Sequence, residues 1–208
     1  MEGTMGITAS DSGGSSYPPT PEGVHHGVCY GIYDLGTQYS EKFNNKARKV
    51  LIQWELPEER IDIDRDGETL DLPRVASKQY TVSLHEKSNL RHDLESWRGK
   101  SFTTQELEGF DLSKLMGVNA MIQIIHKQRD KKTYANVAAI LPPYDKMKKY
   151  KPENPKAYFS FEDQTSIPES APAWVVDLIK QAEEWESAKE PWQDEEPPPP
   201  TDDSDVPF

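Results

Sequence analysis

The chain is poor in cysteine and in long apolar runs. Cys29 is the only cysteine among 208 residues, which excludes an intramolecular disulfide and fits a reducing compartment. No apolar stretch approaches the ~20 residues of a membrane span, and the N-terminus lacks the basic and apolar regions of a signal peptide. Hydrophobic residues make up 35% of the chain, enough for one domain with tails. We therefore expect a cytoplasmic protein without membrane association.

The sequence also lacks the patterns of catalysis and of metal binding. Residues 62–67 open like a calcium-binding EF-hand loop, but the twelfth position, normally a bidentate glutamate, is Pro73. The histidines and Cys29 show no spaced ligand pairs. Neither a phosphate-binding glycine loop nor a nucleophile with its base is recognisable. We expect no enzyme activity, no metal and no cofactor.

The net charge of −12 is unevenly distributed. Residues 161–208 hold 14 acidic and 2 basic residues, and residues 1–21 hold 2 acidic residues and no basic ones. Residues 22–160 hold 22 Lys/Arg and 20 Asp/Glu, with acids clustered between Glu55 and Asp71. The rest of this central region can therefore present a basic face to a polyanion.

Alternation of apolar and polar residues predicts a mainly β domain. The predicted strands are residues 24–33, 49–56, 79–85, 120–126 and 134–141. A helix is predicted between the third and fourth strands, because Ser88 is a favourable N-cap and Gly99 ends the helical pattern. Leu90, Leu94 and Trp97 form its apolar stripe.

This order of elements is that of the OB-fold, a five-stranded Greek-key barrel with a helix between strands three and four. An antiparallel sandwich also accepts five strands but rarely places one helix at that point. We therefore expect the OB-fold domain to span residues 22–160.

The two ends of the chain have other compositions. Residues 1–21 are rich in Gly, Ser, Thr and Pro and predict a flexible arm. Residues 161–189 predict an amphipathic helix segment whose apolar side carries Trp174, Leu178 and Trp185. Packing onto the barrel is its favoured role, and the alternative is a helix that binds a partner or self-associates into a homo-oligomer. Residues 190–208 predict a disordered acidic tail in which four consecutive prolines form a stiff spacer.

Cations and aromatic rings occur at places suited to nucleic acid. Single strands bind in basic grooves where bases stack on aromatic side chains. Tyr33 is predicted to share an open strand face with two glycines, and Tyr134 lies beside a basic hairpin, whereas Trp54 and Trp97 follow apolar stripes and are predicted core. The predicted DNA-binding residues are Tyr33, Lys46, Arg48, Lys49, Lys87, Arg91, Arg98, Lys100, Lys127, Arg129, Lys131, Lys132 and Tyr134. Lys146, Lys148, Lys149 and Lys151 extend the basic character past the barrel.

The last seven residues combine an acidic run with an aliphatic residue, a proline and a final phenylalanine. They resemble the C-terminal tip of bacterial single-stranded DNA-binding proteins. The resemblance implies that the tip recruits replication or recombination enzymes, since a phenylalanine with its carboxylate suits an apolar pocket edged by cations. The residues concerned are Asp202, Asp203, Asp205, Val206, Pro207 and Phe208.

A second resemblance covers roughly residues 20–141. The stretches 83–91 and 95–102, together with 33–37 and 53–56, resemble a family of small tailed-phage proteins taken to bind single-stranded DNA in replication. It implies a sequence-independent single-stranded DNA-binding protein acting in bacteriophage DNA replication and recombination, in the host-cell cytoplasm. The alternatives are a single-strand annealing or recombination mediator, or an OB-fold scaffold that binds proteins and not DNA.

Overall fold

A computed structural model describes residues 17–41, 44–65, 67–144, 146–163 and 166–185. The strands within these ranges are β1 (Gly23–Ser40), β2 (Asn45–Arg65), β3 (Glu68–Thr81), β4 (Asn119–Arg129), β5 (Lys132–Leu141) and β6 (Ala157–Phe159). The helices are α1 (Asn89–Arg98), α2 (Thr104–Glu108) and α3 (Ala173–Lys180), with a 3₁₀ turn at Leu112–Leu115.

The strands form one curled sheet in the order β3-β2-β1-β4-β5, with every neighbouring pair antiparallel. β1 pairs with β4 through residues 23–28 and with β2 through residues 28–40. The short β6 adds in parallel beside residues 31–33. β3 and β5 contact each other across the open side. The prediction of a mainly β, curled, five-stranded antiparallel sheet is confirmed.

The main core fills the concave side of this sheet. Side chains of a strand alternate between its two faces, and β2 directs Val50, Ile52, Trp54 and Leu56 inward. α1 covers this core, and its Trp97 meets Trp54 edge to face at 5.7 Å between ring centroids. The Ser88 hydroxyl accepts a hydrogen bond from the Arg91 amide at the start of α1. Gly99 ends the helix in the left-handed conformation, φ 65°, which glycine adopts without a Cβ clash.

The β2–β3 hairpin is much longer than predicted. β3 begins at Glu68 and not at residue 79, and it ends at Thr81, so residues 82–85 lie outside the sheet. The ladder continues beyond an irregularity between Leu56 and Arg60. Pro57, which cannot donate to a ladder, lies within that irregularity and made the second strand look finished in the sequence. The acidic cluster is therefore part of a hairpin arm.

A second layer covers the convex side of β1. Tyr33 and Leu35 of β1 pack against Val175 and Ile179 of α3 and against Phe159 of β6. This close approach needs glycine at residue 36, because its φ is +62° and a Cβ there would lie 2.5 Å from the Cβ of Ala182.

A buried carboxylate fixes the chain that leads into this layer. Glu55 is fully buried, and it accepts hydrogen bonds from the backbone amides of Glu153 at 2.9 Å and Asn154 at 2.8 Å. The Asn154 side-chain amide adds a third donor at 2.6 Å. Because a buried charge is costly without partners, these bonds hold residues 153–154 against β2.

The buried face of α3 differs from the predicted one. The sequence pointed to Trp174, Leu178 and Trp185, and the last two do pack against the second core. Trp174, however, is 47% exposed, whereas Val175 and Ile179 are fully buried. Residues four apart lie on one helix face, so the contact with β1 is made by this aliphatic pair, one position along from Trp174.

This packing can be tested by truncating one side chain on each face of α3. Ile179→Ala should lower the free energy of unfolding by about 2–5 kcal/mol, since it leaves a cavity in the second core. Trp174→Ala, the matched control, should lower it by about 1 kcal/mol or less because the ring is largely in solvent. Urea unfolding followed by circular dichroism measures both. If Trp174→Ala lowers the free energy of unfolding more than Ile179→Ala does, the buried helix face is the one predicted from the sequence.

Candidate nucleic-acid interface

A cleft of about 710 Å³ separates the β2–β3 arm from the β4–β5 hairpin. One wall consists of Ile61, Ile63, Pro73, Arg74 and Val75, and the other of Lys132, Thr133, Tyr134 and Ala135. The combination of an apolar wall, an aromatic ring and the cations Arg74 and Lys132 suits a base with its phosphate.

The β4–β5 hairpin supplies the basic wall. Its two-residue turn, Asp130 and Lys131, has φ values of 51° and 64°, and turns with two positive φ values match the twist of paired strands. Across the hairpin, Lys127 lies opposite Tyr134 and Arg129 lies opposite Lys132. Directly paired residues share a face of the sheet, so the ring and three cations are displayed together.

The β2–β3 arm supplies the apolar wall and keeps its acids on the other face. Ile61 is paired with Leu72, whereas the next pair along the ladder is Asp62 with Asp71. Since alternate residues point to opposite faces, the isoleucines of the cleft face away from these carboxylates. The Arg60 side chain also forms an ion pair with the Asp71 carboxylate, at 2.9 Å from Nε to Oδ1. The acidic cluster of the sequence therefore does not line the cleft.

The described end of the N-terminal arm runs along the same cleft. Arg74 donates to the Pro18 carbonyl at 2.7 Å, and the His126 ring lies 2.8 Å from the Thr20 carbonyl. The His126 amide donates to Glu22 at 2.6 Å. Residues 17–20 were predicted within a flexible arm, but here they form part of the cleft wall.

Of the predicted DNA-binding residues, the structure brings together those of the β4–β5 hairpin. Lys127, Arg129, Lys131 and Lys132 are exposed, and the Tyr134 side chain is 47% exposed. Sequence reasoning missed Arg74 of the opposite wall, because residues 68–78 were not recognised as a strand. The alternation of Leu70 and Leu72 with acidic neighbours is the signal that could have found it.

Tyr33 is not available for stacking. Its side chain is fully buried in the second core, so the prediction that it meets a base is wrong. Alternation correctly placed Tyr33 on the face opposite Ile32, since Ile32 lies in the main core and Tyr33 in the second one. The face that looked open to a ligand is covered by α3.

The three predicted DNA-binding cations near the β1–β2 turn have partners within the protein, and two of them contact the C-terminal segment. Arg48 donates to Asp34 at 2.5 Å and to Glu162 at 2.9 Å, and these hydrogen bonds raise the pKa of its guanidinium. Lys46 forms an ion pair with Glu183. Lys49 donates to the Thr81 hydroxyl at 2.7 Å. None of these three lines the cleft.

The cations around α1 also lie outside the cleft. Arg91 pairs with Glu95 one turn further along the helix, at 3.1 Å. Arg98 pairs with Glu106 and lies over the Phe102 ring, 4.4 Å from its centroid. Lys87 and Lys100 are exposed on this side. The predicted basic residues therefore fall into separate groups, and of these residues Lys132 of the hairpin group lines the cleft.

The sequence matches no protein-family model and no curated protein. No three His, Cys, Asp or Glu side chains converge as a metal-binding group in the described ranges. None of the helices within those ranges is long and apolar enough to cross a membrane.

The burial of Tyr33 predicts a specific alkaline response. Burial raises the pKa of Tyr33 to about 12, against ~10 in an unfolded chain. The raised pKa contributes stability that is complete below pH ~10 and is lost as the pH rises toward 12. Tyr33→Phe should make the decline in unfolding free energy between pH 10 and 12 shallower, with burial of Tyr30 and Tyr80 sustaining the rest.

At pH 7 the Tyr33→Phe variant should be as stable as the wild type, because the Tyr33 hydroxyl has no hydrogen-bond partner among the described residues. Urea unfolding at several pH values measures both effects. Identical pH profiles for the two proteins would contradict the buried position.

Proposed function

We propose that this protein binds single-stranded DNA without sequence preference, on an OB-type barrel, in bacteriophage DNA replication and recombination. The cleft between the two hairpins is the observation that carries the proposal. It places Tyr134 and Lys132 opposite Arg74 and the apolar wall of the β2–β3 arm. Stacking on an aromatic ring tolerates any base because every base has a π-face.

The strand layout supports the OB-type assignment. β1 is shared between β2 and β4, and α1 follows β3 and closes one side of the core. In OB-folds the face of strands two and three and the loop between strands four and five take part in oligonucleotide binding. The cleft lies between β2–β3 and β4–β5 of this chain, which is the corresponding region.

The charge distribution supports a division of labour between barrel and tail. Residues 190–208 contain seven acidic and no basic residues, and they lie outside the described residues. We propose that the tip formed by residues 202–208 recruits replication or recombination enzymes. The acidic tail competes with DNA for the basic hairpin when no strand is bound, because both are polyanions.

Replacing the cleft tyrosine tests the binding function. Tyr134→Ala should weaken binding of fluorescein-labelled oligo-dT by about 5- to 150-fold, the equivalent of one lost base stack worth ~1–3 kcal/mol. Lys132→Ala should weaken it less and reduce the slope of log K against log salt by about 1. Fluorescence anisotropy at several salt concentrations measures both.

Trp174→Ala is the matched control, since that ring is equally exposed but lies on α3. It should leave binding unchanged. If wild-type protein fails to bind oligo-dT at low micromolar concentration and moderate salt, the DNA-binding proposal is wrong and the protein-interaction scaffold takes its place.

Two C-terminal deletions test the role of the tail. Removing residues 190–208 should strengthen oligo-dT binding, most at low salt where charges are least screened. Removing Phe208 alone should leave DNA affinity unchanged, because it deletes an apolar side chain and retains the acidic run. Loss of DNA binding on the single-residue deletion would overturn the proposed division between barrel and tip.

A further inference from the structure

A strip of exposed side chains runs along the outer face of β4 and β5, the face opposite the main core. Ile122 and Ile124 of β4 are buried, whereas Gln123 and Lys127, at alternate positions of the strand, are exposed on the opposite face. Tyr134 and Leu141 of β5, which pair with Lys127 and Met121, are exposed on the same face. Val24 of β1, paired with Gln123, is 52% exposed and continues the strip.

The strip connects the cleft with a second basic region. At the far end, where β4 begins at Asn119, the chain after β5 folds back and lines two cavities of about 320 and 460 Å³. Both cavities share Asn119, Pro143 and Lys149. Tyr144, Lys146 and Lys148 also line the smaller one, and Tyr144 is 67% exposed. An aromatic ring and three lysines thus stand at each end of the β4–β5 face.

Hydrogen bonds hold this lysine-bearing loop in place. The Tyr150 amide donates to Asn119 Oδ1 at 2.9 Å, and Asn119 Nδ2 donates back to the Tyr150 carbonyl at 3.0 Å. The buried His26 ring contacts the same Oδ1 at 2.8 Å and meets the Tyr150 ring edge to face. Lys148 lies over the Tyr150 ring, 4.3 Å from its centroid. These contacts anchor the loop to β4 and β1 at Tyr150.

Among the residues that the structure describes, the lysines of this loop form no ion pairs. No ion pair within the described ranges involves Lys146, Lys148 or Lys149, whereas Arg48, Arg91 and Arg98 are all paired. Lys146 has a φ of 67°, a conformation that residues other than glycine seldom adopt and that is concentrated at functional sites.

We infer that a DNA strand held in the cleft continues along the outer face of β4 and β5 to a second phosphate-binding site formed by Lys146, Lys148 and Lys149 with Tyr144. This inference rests on the proposed function and extends it. The occupant is a polyanion because the site offers cations. It is a single strand because Tyr144 and the adjoining apolar cavity offer a surface for an unpaired base.

The length of β4 sets the length of DNA that reaches both sites. Eleven residues at ~3.4 Å per residue span roughly 35 Å. A stacked strand rising ~3.4 Å per nucleotide covers that distance in about ten nucleotides, and an extended strand needs fewer. This lies within the ~4–16 nucleotides that one OB-fold occupies. A stacked oligonucleotide of about five nucleotides should therefore fill the cleft without reaching the second site.

The test uses the full-length triple variant Lys146→Ala/Lys148→Ala/Lys149→Ala and labelled dT5 and dT20. Binding of dT5 should match the wild type within about twofold, which also shows that the variant is folded. Binding of dT20 should weaken by at least about tenfold at low salt. The slope of log K against log salt should fall by about 2–3 for dT20, about 1 per lysine.

The triple variant Lys114→Ala/Lys156→Ala/Lys180→Ala is the control, since it removes the same charge from exposed lysines that line neither the cleft nor the two cavities. It should bind dT20 like the wild type. If the control loses as much dT20 affinity as the Lys146 variant, the loss is explained by net charge alone and the second site is overturned.

The remaining outcomes separate the inference from the function on which it rests. If the wild type binds neither oligonucleotide, the proposed function itself fails. If the wild type binds dT20 and the Lys146 variant binds it equally well or better, the DNA path is wrong while the function stands. In that case, residues 190–208 are deleted from the Lys146 variant as well. If this deletion no longer strengthens DNA binding, the second site is occupied by the chain's own acidic tail.

Discussion

The central strand β1 forms hydrogen-bonded ladders with β2, β4 and β6. β1 pairs with β4 along its first residues and with β2 along the rest, and the register shifts within β1 mark bulges that bend the strand. The curl brings β3 toward β5 and closes the core beneath α1. It also places the two long hairpins on either side of one cleft.

The same strand separates a structural side from a binding side. α3 covers the convex face of β1 around Tyr33 and β6 lies beside β1 there, while Arg48 and Lys46 form ion pairs with Glu162 and Glu183 of the C-terminal segment. These cations offset the acids of residues 161–185 and contribute to the attachment of the second layer. Within the described part of the chain, Arg129 is the one cation of the β4–β5 hairpin with an ion-pair partner, and its contact with Asp130 is an exposed pair. Exposed pairs contribute little, so the charge of this hairpin is available to a polyanion.

Sequence reasoning succeeded where local chemistry decides conformation. Ser88 and Gly99 bound α1 because an N-cap hydroxyl and a left-handed glycine act within a few residues. The hairpin at Asp130 and Lys131 follows from alternating strands on both sides. It failed where pairing overrides local pattern. β3 extends to Glu68 because the β2 arm offers a partner, although residues 68–78 contain a proline and two acidic residues.

The candidate site divides in the same way. The sequence by itself determined the mainly β fold, the basic hairpin with Tyr134 and the concentration of negative charge in residues 161–208, because composition and periodicity are local properties. Only the tertiary structure decided which of these groups meet. It buried Tyr33 under Val175 and Ile179 and brought Arg74 to face Lys132 and Tyr134 across the cleft. The physical reason is that burial and convergence depend on contacts between residues distant in the chain, which bulges and register shifts redirect.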